Sequence, residues 1–597
     1  MIVLPFEGSR RLTGANLFFA GSGAQLETLG IAADETLLAQ WRARIARARA
    51  QLGWPQGAVV TRRHADGVSL ALAAPVDALF TATEVNEWAL CAALLQQDPV
   101  RWRTLEADLI AAALADASEP ASFIAPVLEE AAAMERFTQL AAREARPAVL
   151  ALLGAATARG LPYVLDEELL TLGAGAGGRD WPLDGLPPPP RVPWAALHDI
   201  PTAIVTGSNG KTTTVRLLAG CALAHGWLPA YCCTDGVFLG AQPLLSGDYS
   251  GPVGARRVLR EQTAHAAIVE TARGGILRRG IAVSQAHAAL VTNVSADHFG
   301  EYGIDDLGAL ADVKLSVAAV LPATGVLVLN ADDPQLTDKA PHLAERFGAA
   351  PPLGWFALDY DLPALLRHRA AGGATCGVRG GHLLLQRAGV EHDLGVVAAM
   401  PLSIDASATY NISNLAGAAL VAAALGIPPA TIAGVYSRFG AQAGDNFGRM
   451  MRFERGGVRI IVDYAHNPEG LKGLLRVAEH LRGGHGRLGL LLGHAGNRQD
   501  AEIEALAQTA AQFHPALIVI KENEAHLRGR EPGEIPRVIH AALRHAGMPE
   551  AALPLRMSEL EAVHCALEWA QPGDVLALPV HSAAARAAVL ALLTQAR

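Results

Sequence analysis

The segment Ile204-Val205-Thr206-Gly207-Ser208-Asn209-Gly210-Lys211-Thr212-Thr213-Thr214 constrains this chain more than any other stretch. A short apolar run enters a loop bearing two glycines, and a Lys-Thr pair opens the helix that follows. A strand buried on both faces and continued at once by a helix is the building unit of a parallel α/β sheet. Gly207 and Gly210 let the N–H groups of the loop, including those of Ser208 and Asn209, turn toward an anion. The helix N-terminus beneath adds a partial positive charge. Lys211 supplies a point charge for outer phosphates, and the Thr212 hydroxyl an oxygen ligand for Mg²⁺. The loop is shorter than the usual GxxxxGK[ST], its first glycine standing only four residues before the lysine.

The pattern around it predicts more of the same. Apolar runs at 202–206, 266–271, 288–294 and 325–329 alternate with helical segments. A second alternating block has strands at 458–463, 487–493, 517–521 and 575–579. Two consecutive blocks imply two doubly wound sheets with a ligand cleft between them. Residues 375–402 read as hairpins turning at Gly380-Gly381. Strand-like runs at 1–6, 57–62 and 68–73 mix with helical ones at 35–52 and 84–96, an α+β pattern. Residues 173–193 contain Pro187 to Pro190 and read as a linker. The expected fold is thus α/β: an α+β domain over 1–180, a linker over 181–198, a P-loop-containing central sheet over 199–445, and a Rossmann-like C-terminal domain over 446–597.

A net charge of −9 over 597 residues argues against nucleic acid as a partner. The cluster Arg42, Arg44, Arg47 and Arg49 forms no single stripe on a helix and reads as solvated surface. The six cysteines are scattered, with no CxxC pair and no signal peptide ahead of them, which predicts a reducing cytoplasm. Residues 406–437 carry no charge over a membrane-spanning length. Asn411, Asn414 and Pro428-Pro429 interrupt them, so they are expected as a buried helix, a turn and a second helix. Only five of the 49 cationic residues are lysine: Lys211, Lys314, Lys339, Lys472 and Lys521.

Three further residues extend the phosphate loop toward chemistry. Glu270 ends one strand and His298 follows another, both at the sheet edge where the loop lies. With Thr212 they offer the hard oxygen and imidazole donors of a Mg²⁺ shell. Lys314 stands on the next helix.

Together, TGSNGKTTT (206–214), Glu270, NVSADH (293–298), Lys314, LNADD (329–333), YNISN (410–414), Gly448-Arg449 and DYAHNP (463–468) resemble the Mur ligase superfamily of ATP-dependent amide-forming enzymes. Within it, TDGVFLG (234–240), SGDYSGPVGARRVLR (246–260), ETARGGILRRG (270–280), DNFGRMMRF (445–453) and RGREPGEI (528–535) are similar to the Mur-ligase-like half of the cyanophycin synthetases, and RRLTGANLF (10–18) to the entry of their first domain. Their ATP-grasp module is absent; RGLPYVLDEELLTLGAG (159–175) looks like its beginning without the catalytic lobes.

The resemblance implies ATP and Mg²⁺ as cofactors and an acyl-phosphate intermediate. Lys211, Glu270, His298 and Lys314 would be catalytic, and Thr212, Glu270, His298 and a carbamoylated Lys314 would face the metals. Gly207 to Thr213 and Asn414, Arg449 and Asp463 would hold ATP, Asn414 at adenine and the other two at phosphate and ribose. Arg273, Arg278, His466 and Asn467 are candidates for substrate. The expected reaction joins an amino acid such as arginine to an aspartate-type carboxylate of an acidic peptide or polymer. Partners would be a second copy of the chain or a separate ATP-grasp synthetase. Two other readings stand: a cell-wall ligase extending a nucleotide-sugar peptide, and a catalytically silent nucleotide-binding partner of a full synthetase. The silent reading predicts loss of some of Lys211, Thr212, Glu270, His298 and Lys314, and all five are present.

Overall fold

Along the strand Thr202–Thr206, Ala203 and Val205 face one core while Ile204 faces another. That two-sided burial, the period-2 consequence of a pleated strand, places it inside a covered sheet. The computed structural model describes residues 4–31, 33–116, 125–296, 299–442, 444–496, 498–523 and 527–594.

The central sheet has eleven strands, in the order Gln242–Ser246, Gly236–Leu239, Pro229–Cys233, Ala266–Glu270, Thr202–Thr206, Ala288–Val291, Val326–Asn330, Leu353–Asp359, Ala374–Arg379, His382–Arg387 and Val390–Val396. From Pro229–Cys233 to Ala374–Arg379 the strands run parallel, and antiparallel hairpins extend both ends. Gly380 and Gly381 make the turn expected of them, both at positive φ. Helices Lys211–Ala224 and Thr409–Ala424 cover one face; Pro252–Leu259 and Leu307–Leu315 cover the other. The C-terminal sheet has six strands, ordered Met451–Arg455, Val458–Asp463, Val575–Pro579, Leu488–Leu492, Leu517–Lys521 and Leu555–Arg556. All its pairings are parallel except the first. A four-stranded antiparallel sheet with helices Glu35–Leu52 and Leu79–Gln97 packed against it forms the N-terminal α+β part.

Several expectations are corrected. Of the run expected at 1–6, residues 1–3 lie outside the described residues, and among the described ones the first strand is Phe6–Leu12. Residues 173–193 are more than a linker: Arg179–Pro182 pairs with Leu169–Leu172, which pairs with Tyr163–Leu165, and Trp181 is buried between them. A boundary at 180 would cut that strand. Arg44 and Arg49 are buried rather than solvated, because Arg49 donates to the carbonyls of Gly57, Ala58 and Ala73, and Arg44 to Gln96 Oε1 at 2.6 Å. The residues 406–437 fold as helices Thr409–Ala424 and Pro429–Tyr436, and no helix of the described residues is long and apolar enough to cross a membrane.

The N-terminal part is joined to the central sheet by a backbone seam. Thr13 N donates to Arg279 O at 2.8 Å and Ile281 N to Ala15 O at 2.7 Å, while Ala15 and Leu17 sit within the central core. Gly14 is required there: a Cβ would stand 2.2 Å from Ile281 O. Farther along, Arg62 donates to Gly303 O, Ala65 N to Asp305 Oδ2 at 2.9 Å, and the Arg10 guanidinium lies 4.2 Å from the Tyr302 ring centroid.

Candidate active site

The strand expected over 288–294 ends at Val291, and the freed residues wrap the phosphate loop. Thr292 Oγ1 donates to Asn209 O at 2.6 Å, Ser208 N donates to Asn293 O and Asn209 N to Asn293 Oδ1, both at 3.0 Å. These bonds leave the loop rigid before any ligand arrives, and they commit the N–H groups of Ser208 and Asn209 to Asn293, contrary to the expectation that those two face an anion. Lys211 Nζ donates to the carbonyls of Gly207 and Ser208, each at 3.0 Å, which folds the ammonium over the loop. Gly210, at φ +85°, starts the helix with no room for a side chain: a Cβ would lie 2.2 Å from Asn414 Oδ1. Asn414 therefore sits directly against the phosphate loop.

Glu270 ends the neighbouring strand, in register with Val205, and is 1% exposed. Thr212 Oγ1 donates to its Oε2 at 2.8 Å and Thr234 Oγ1 to its Oε1 at 3.1 Å. Burial pushes its pKa up, and the nearby Lys211 opposes that shift. A buried carboxylate satisfied by two hydroxyls, which rotate freely between donor and acceptor, is a hard-oxygen set that fits Mg²⁺. Among the described residues no three His, Cys, Asp or Glu side chains gather into a metal cage, so such an ion would take its remaining ligands from phosphate and water. His298 lies outside the described residues. Lys314 is 3% exposed on the helix Leu307–Leu315, faces the same space, and tempers the raised pKa of buried Asp333.

A cavity of about 1130 Å³ brings these groups together. Gly207, Ser208, Lys211, Glu270, Lys314, Arg273, Arg278 and His466 all line it, with Glu7, Glu27 and His64 from the N-terminal sheet forming another wall. Arg273 is buried and paired with Glu301; Arg278 is exposed at the rim and donates to Gly274 O at 3.0 Å. The remaining candidates lie alongside. Thr213 Oγ1 accepts from Asn446 at 3.2 Å, and Asn446 and Arg449 line an adjoining cavity of about 420 Å³ between the two sheets. Asp463, its pKa raised by burial against the pull of Arg449, accepts from Met450 N and Ala465 N, both at 2.8 Å. Asn467 caps the helix Pro468–Arg482 through Gly470 N, and its Nδ2 reaches across the cleft to Asn209 Oδ1 at 2.9 Å.

Sequence reasoning did not single out Thr234, Asp235, Asp248 or Arg586, which also border these cavities. Asp235 gathers three guanidiniums: Arg216 and Arg586 at 2.8 Å and Arg449 at 3.8 Å. Arg586 had a readable signal, being the one charge in the terminal helix Ala583–Thr594.

The Mur ligase middle domain matches residues 205–352, and the Mur ligase glutamate ligase domain matches 448–578. A UDP-N-acetylmuramoyl-L-alanyl-D-glutamate–2,6-diaminopimelate ligase of Xanthomonas campestris pv. campestris is 30% identical over 382 residues, 62% of this chain and 70% of that protein. The chain belongs to the Mur ligase family. Cyanophycin synthetases of Geminocystis herdmanii and of a Synechocystis strain are 32% identical to this Mur ligase family member over 379 and 381 residues, 64% of its length. It spans 42% of the length of those relatives. Among solved structures, E. coli FolC in complex with DHPP and ADP aligns over 66% of this chain and 89% of its own, at 17% identity and a TM-score of 0.48.

Proposed function

We propose that this Mur ligase family member is an ATP-dependent carboxylate–amine ligase forming ADP and phosphate, and that it joins an amino acid such as arginine to an aspartate-type carboxylate. The observation that carries the reading is the convergence of the phosphate loop, Glu270 and Lys314 on one cavity walled by three parts of the chain. The likeness to cyanophycin synthetases supports the choice of substrates.

In this reading a substrate carboxylate oxygen attacks the γ-phosphorus of ATP, the bond to the β-phosphate oxygen breaks, and ADP leaves. The amine then attacks the acyl carbon, phosphate departs with the bonding pair, and the nitrogen loses a proton. Catalysis of such transfers is chiefly positioning and charge stabilisation. Lys211 and the first-turn N–H groups of the helix Lys211–Ala224, which no side chain caps, would hold the phosphates; Arg449 approaches from the last domain and stacks over Tyr464 at 4.2 Å, which fixes its plane. Asn414, against Gly210, would meet adenine, and Asp463 would meet ribose. Thr212 and Glu270 would hold Mg²⁺, which when bound neutralises charge on the phosphate oxygens. A carbamate on Lys314 would replace a buried cation by an anionic oxygen donor, which arginine cannot provide. His466 and Arg273 face the cavity where the acid and amine would lie. A separate ATP-grasp enzyme would supply the acceptor, and the site would work in the cytoplasm.

The likeness to diaminopimelate ligases favours, as a second reading, amino-acid addition to a cell-wall peptide. Phosphate release from ATP, with mass spectrometry of products, separates the two when Asp–Arg dipeptides, poly-aspartate, a UDP-muramoyl peptide and free amino acids are offered. Release above background only with acid and amine together is the expected result. If no pair stimulates turnover, the ligase reading falls and the silent-partner reading replaces it.

A further inference from the structure

Arg586 stands out in its helix as a lone buried charge. Its helix, AAARAAVLALLT, is otherwise uncharged, and the guanidinium is buried at 4% exposure. Nη2 donates to Asp235 Oδ1 at 2.8 Å, while Nε and Nη1 have no hydrogen-bond partner among the described residues. A buried charged donor without a partner is among the costlier defects a fold can carry. Asp235 does not neutralise it alone, since the same carboxylate also holds Arg216 at 2.8 Å and faces Arg449 at 3.8 Å. The surroundings keep Arg586 still: its guanidinium carbon is 4.9 Å from the Tyr464 ring centroid, and Gly448 lies so near that a Cβ there would stand 3.0 Å from Arg586 Cδ.

The placement explains what such a group is for. Arg586 borders both the main cavity and a side cavity of about 490 Å³. The side cavity is walled by Tyr231 and Phe238, stacked with centroids 4.9 Å apart, and by Pro243, Arg216 and Phe447. We propose that Arg586 is an oxyanion-binding residue: its Nε–H and Nη1–H groups take a carboxylate or phosphoryl oxygen of a ligand in the main cavity. Where the anion is a carboxylate, the side cavity receives the apolar or extended remainder of that acid. The inference rests on the ligase reading for the identity of its ligands, and on geometry alone for the site.

Binding without turnover tests it. Inorganic phosphate, Mg–AMP-PNP and hexa-aspartate are titrated calorimetrically into the full chain, the Arg586→Gln variant and the Arg586→Lys variant. Arg586→Gln is expected to weaken at least one probe by about tenfold or more while another stays within about twofold, and Arg586→Lys is expected to recover part of the loss. A loss confined to phosphate and Mg–AMP-PNP assigns a phosphoryl oxygen; one confined to hexa-aspartate assigns a carboxylate. The unaffected probe shows that the variant is folded. Equal loss of all three, no loss of any, or no binding of any probe to the unaltered chain overturns the proposal. Because nothing here depends on ATP turnover, a failed ligase assay would leave this result standing on its own.

Discussion

Substituting Gly210 by alanine tests the phosphate loop at its tightest point. The residue sits at φ +85° and ψ −9°, and an added Cβ would lie 2.2 Å from Asn414 Oδ1, 2.9 Å from its Cγ and 3.0 Å from its Nδ2. Two penalties follow. Left-handed backbone costs a non-glycine residue about 1–2 kcal/mol, and displacing buried Asn414 costs about 1–3 kcal/mol more. Their sum, about 2–5 kcal/mol, corresponds at its lower end to a nucleotide affinity weakened about 30-fold if the loop shifts to accommodate the methyl group. Calorimetric titration of Mg–ADP and urea unfolding followed by tryptophan fluorescence measure the two expressions of that cost. Asn414→Ala removes the colliding atoms but leaves the backbone strain. The double variant is therefore expected to regain about 1–3 kcal/mol of stability relative to the sum of the single effects. Strict additivity, or a Gly210→Ala chain that binds Mg–ADP within about twofold of the original, would refute the close-approach argument.

Glu270→Gln separates stability from function by pH. Burial raises the folded-state pKa of Glu270, so its contribution to stability is complete below the unfolded value and is lost as pH rises through the raised one. The neutral variant is expected to melt higher than the original chain near about pH 8 and level with it near about pH 4, while losing Mg²⁺-dependent turnover; equal melting at both pH values would contradict the assigned burial effect. Asn467→Asp retains the cap on Pro468–Arg482 but loses the amide donor to Asn209, whereas Asn467→Ala loses both. Stability is expected to fall by about 1 kcal/mol only in the alanine variant, with the KM for ATP raised several-fold in both; an unchanged KM would remove Asn467 from the cleft's closure. Lys314→Arg is expected to abolish stimulation of turnover by bicarbonate, measured in CO₂-depleted buffer, and full activity in that variant would end the carbamate assignment.

What was legible in the sequence follows from what each element needs. Parallel strands such as Thr202–Thr206 and Leu517–Lys521 are covered on both faces, so they appear as short unbroken apolar runs. The two later strands of the small sheet over Tyr163–Pro182 were hidden because they are only four residues long and lie among glycine and proline. The phosphate loop and Glu270 could be picked out because local order places each beside a strand end, whereas Lys314, inside the helix Leu307–Leu315, was given a role only through the family resemblance. The pairing of Asp235 with Arg586 was not legible, since they meet across 351 positions of chain and only a folded cleft brings them within 2.8 Å. Arg44 and Arg49 misled because helix periodicity ranks charges by face, while their guanidiniums reach carbonyls beyond the helix itself.

The seam at residues 13–17 carries a consequence for how such a chain tolerates change. Thr13 and Ala15 complete the hydrogen bonding of Arg279 and Ile281 from 266 positions away in the sequence, so the first part is stitched to the middle one by non-covalent contact. The covalent path between them need not hold them in register. A connection relieved of that duty can lengthen or shorten at modest entropic expense, since closure cost grows only with the logarithm of loop length. A whole module can then come or go between the N-terminal core, whose last helix ends at Glu144, and the first strand of the central sheet, while the walls of the cavity keep their places. The cavity's architecture is inherited through the stitch, and the chain that joins its two sides is left free to diverge.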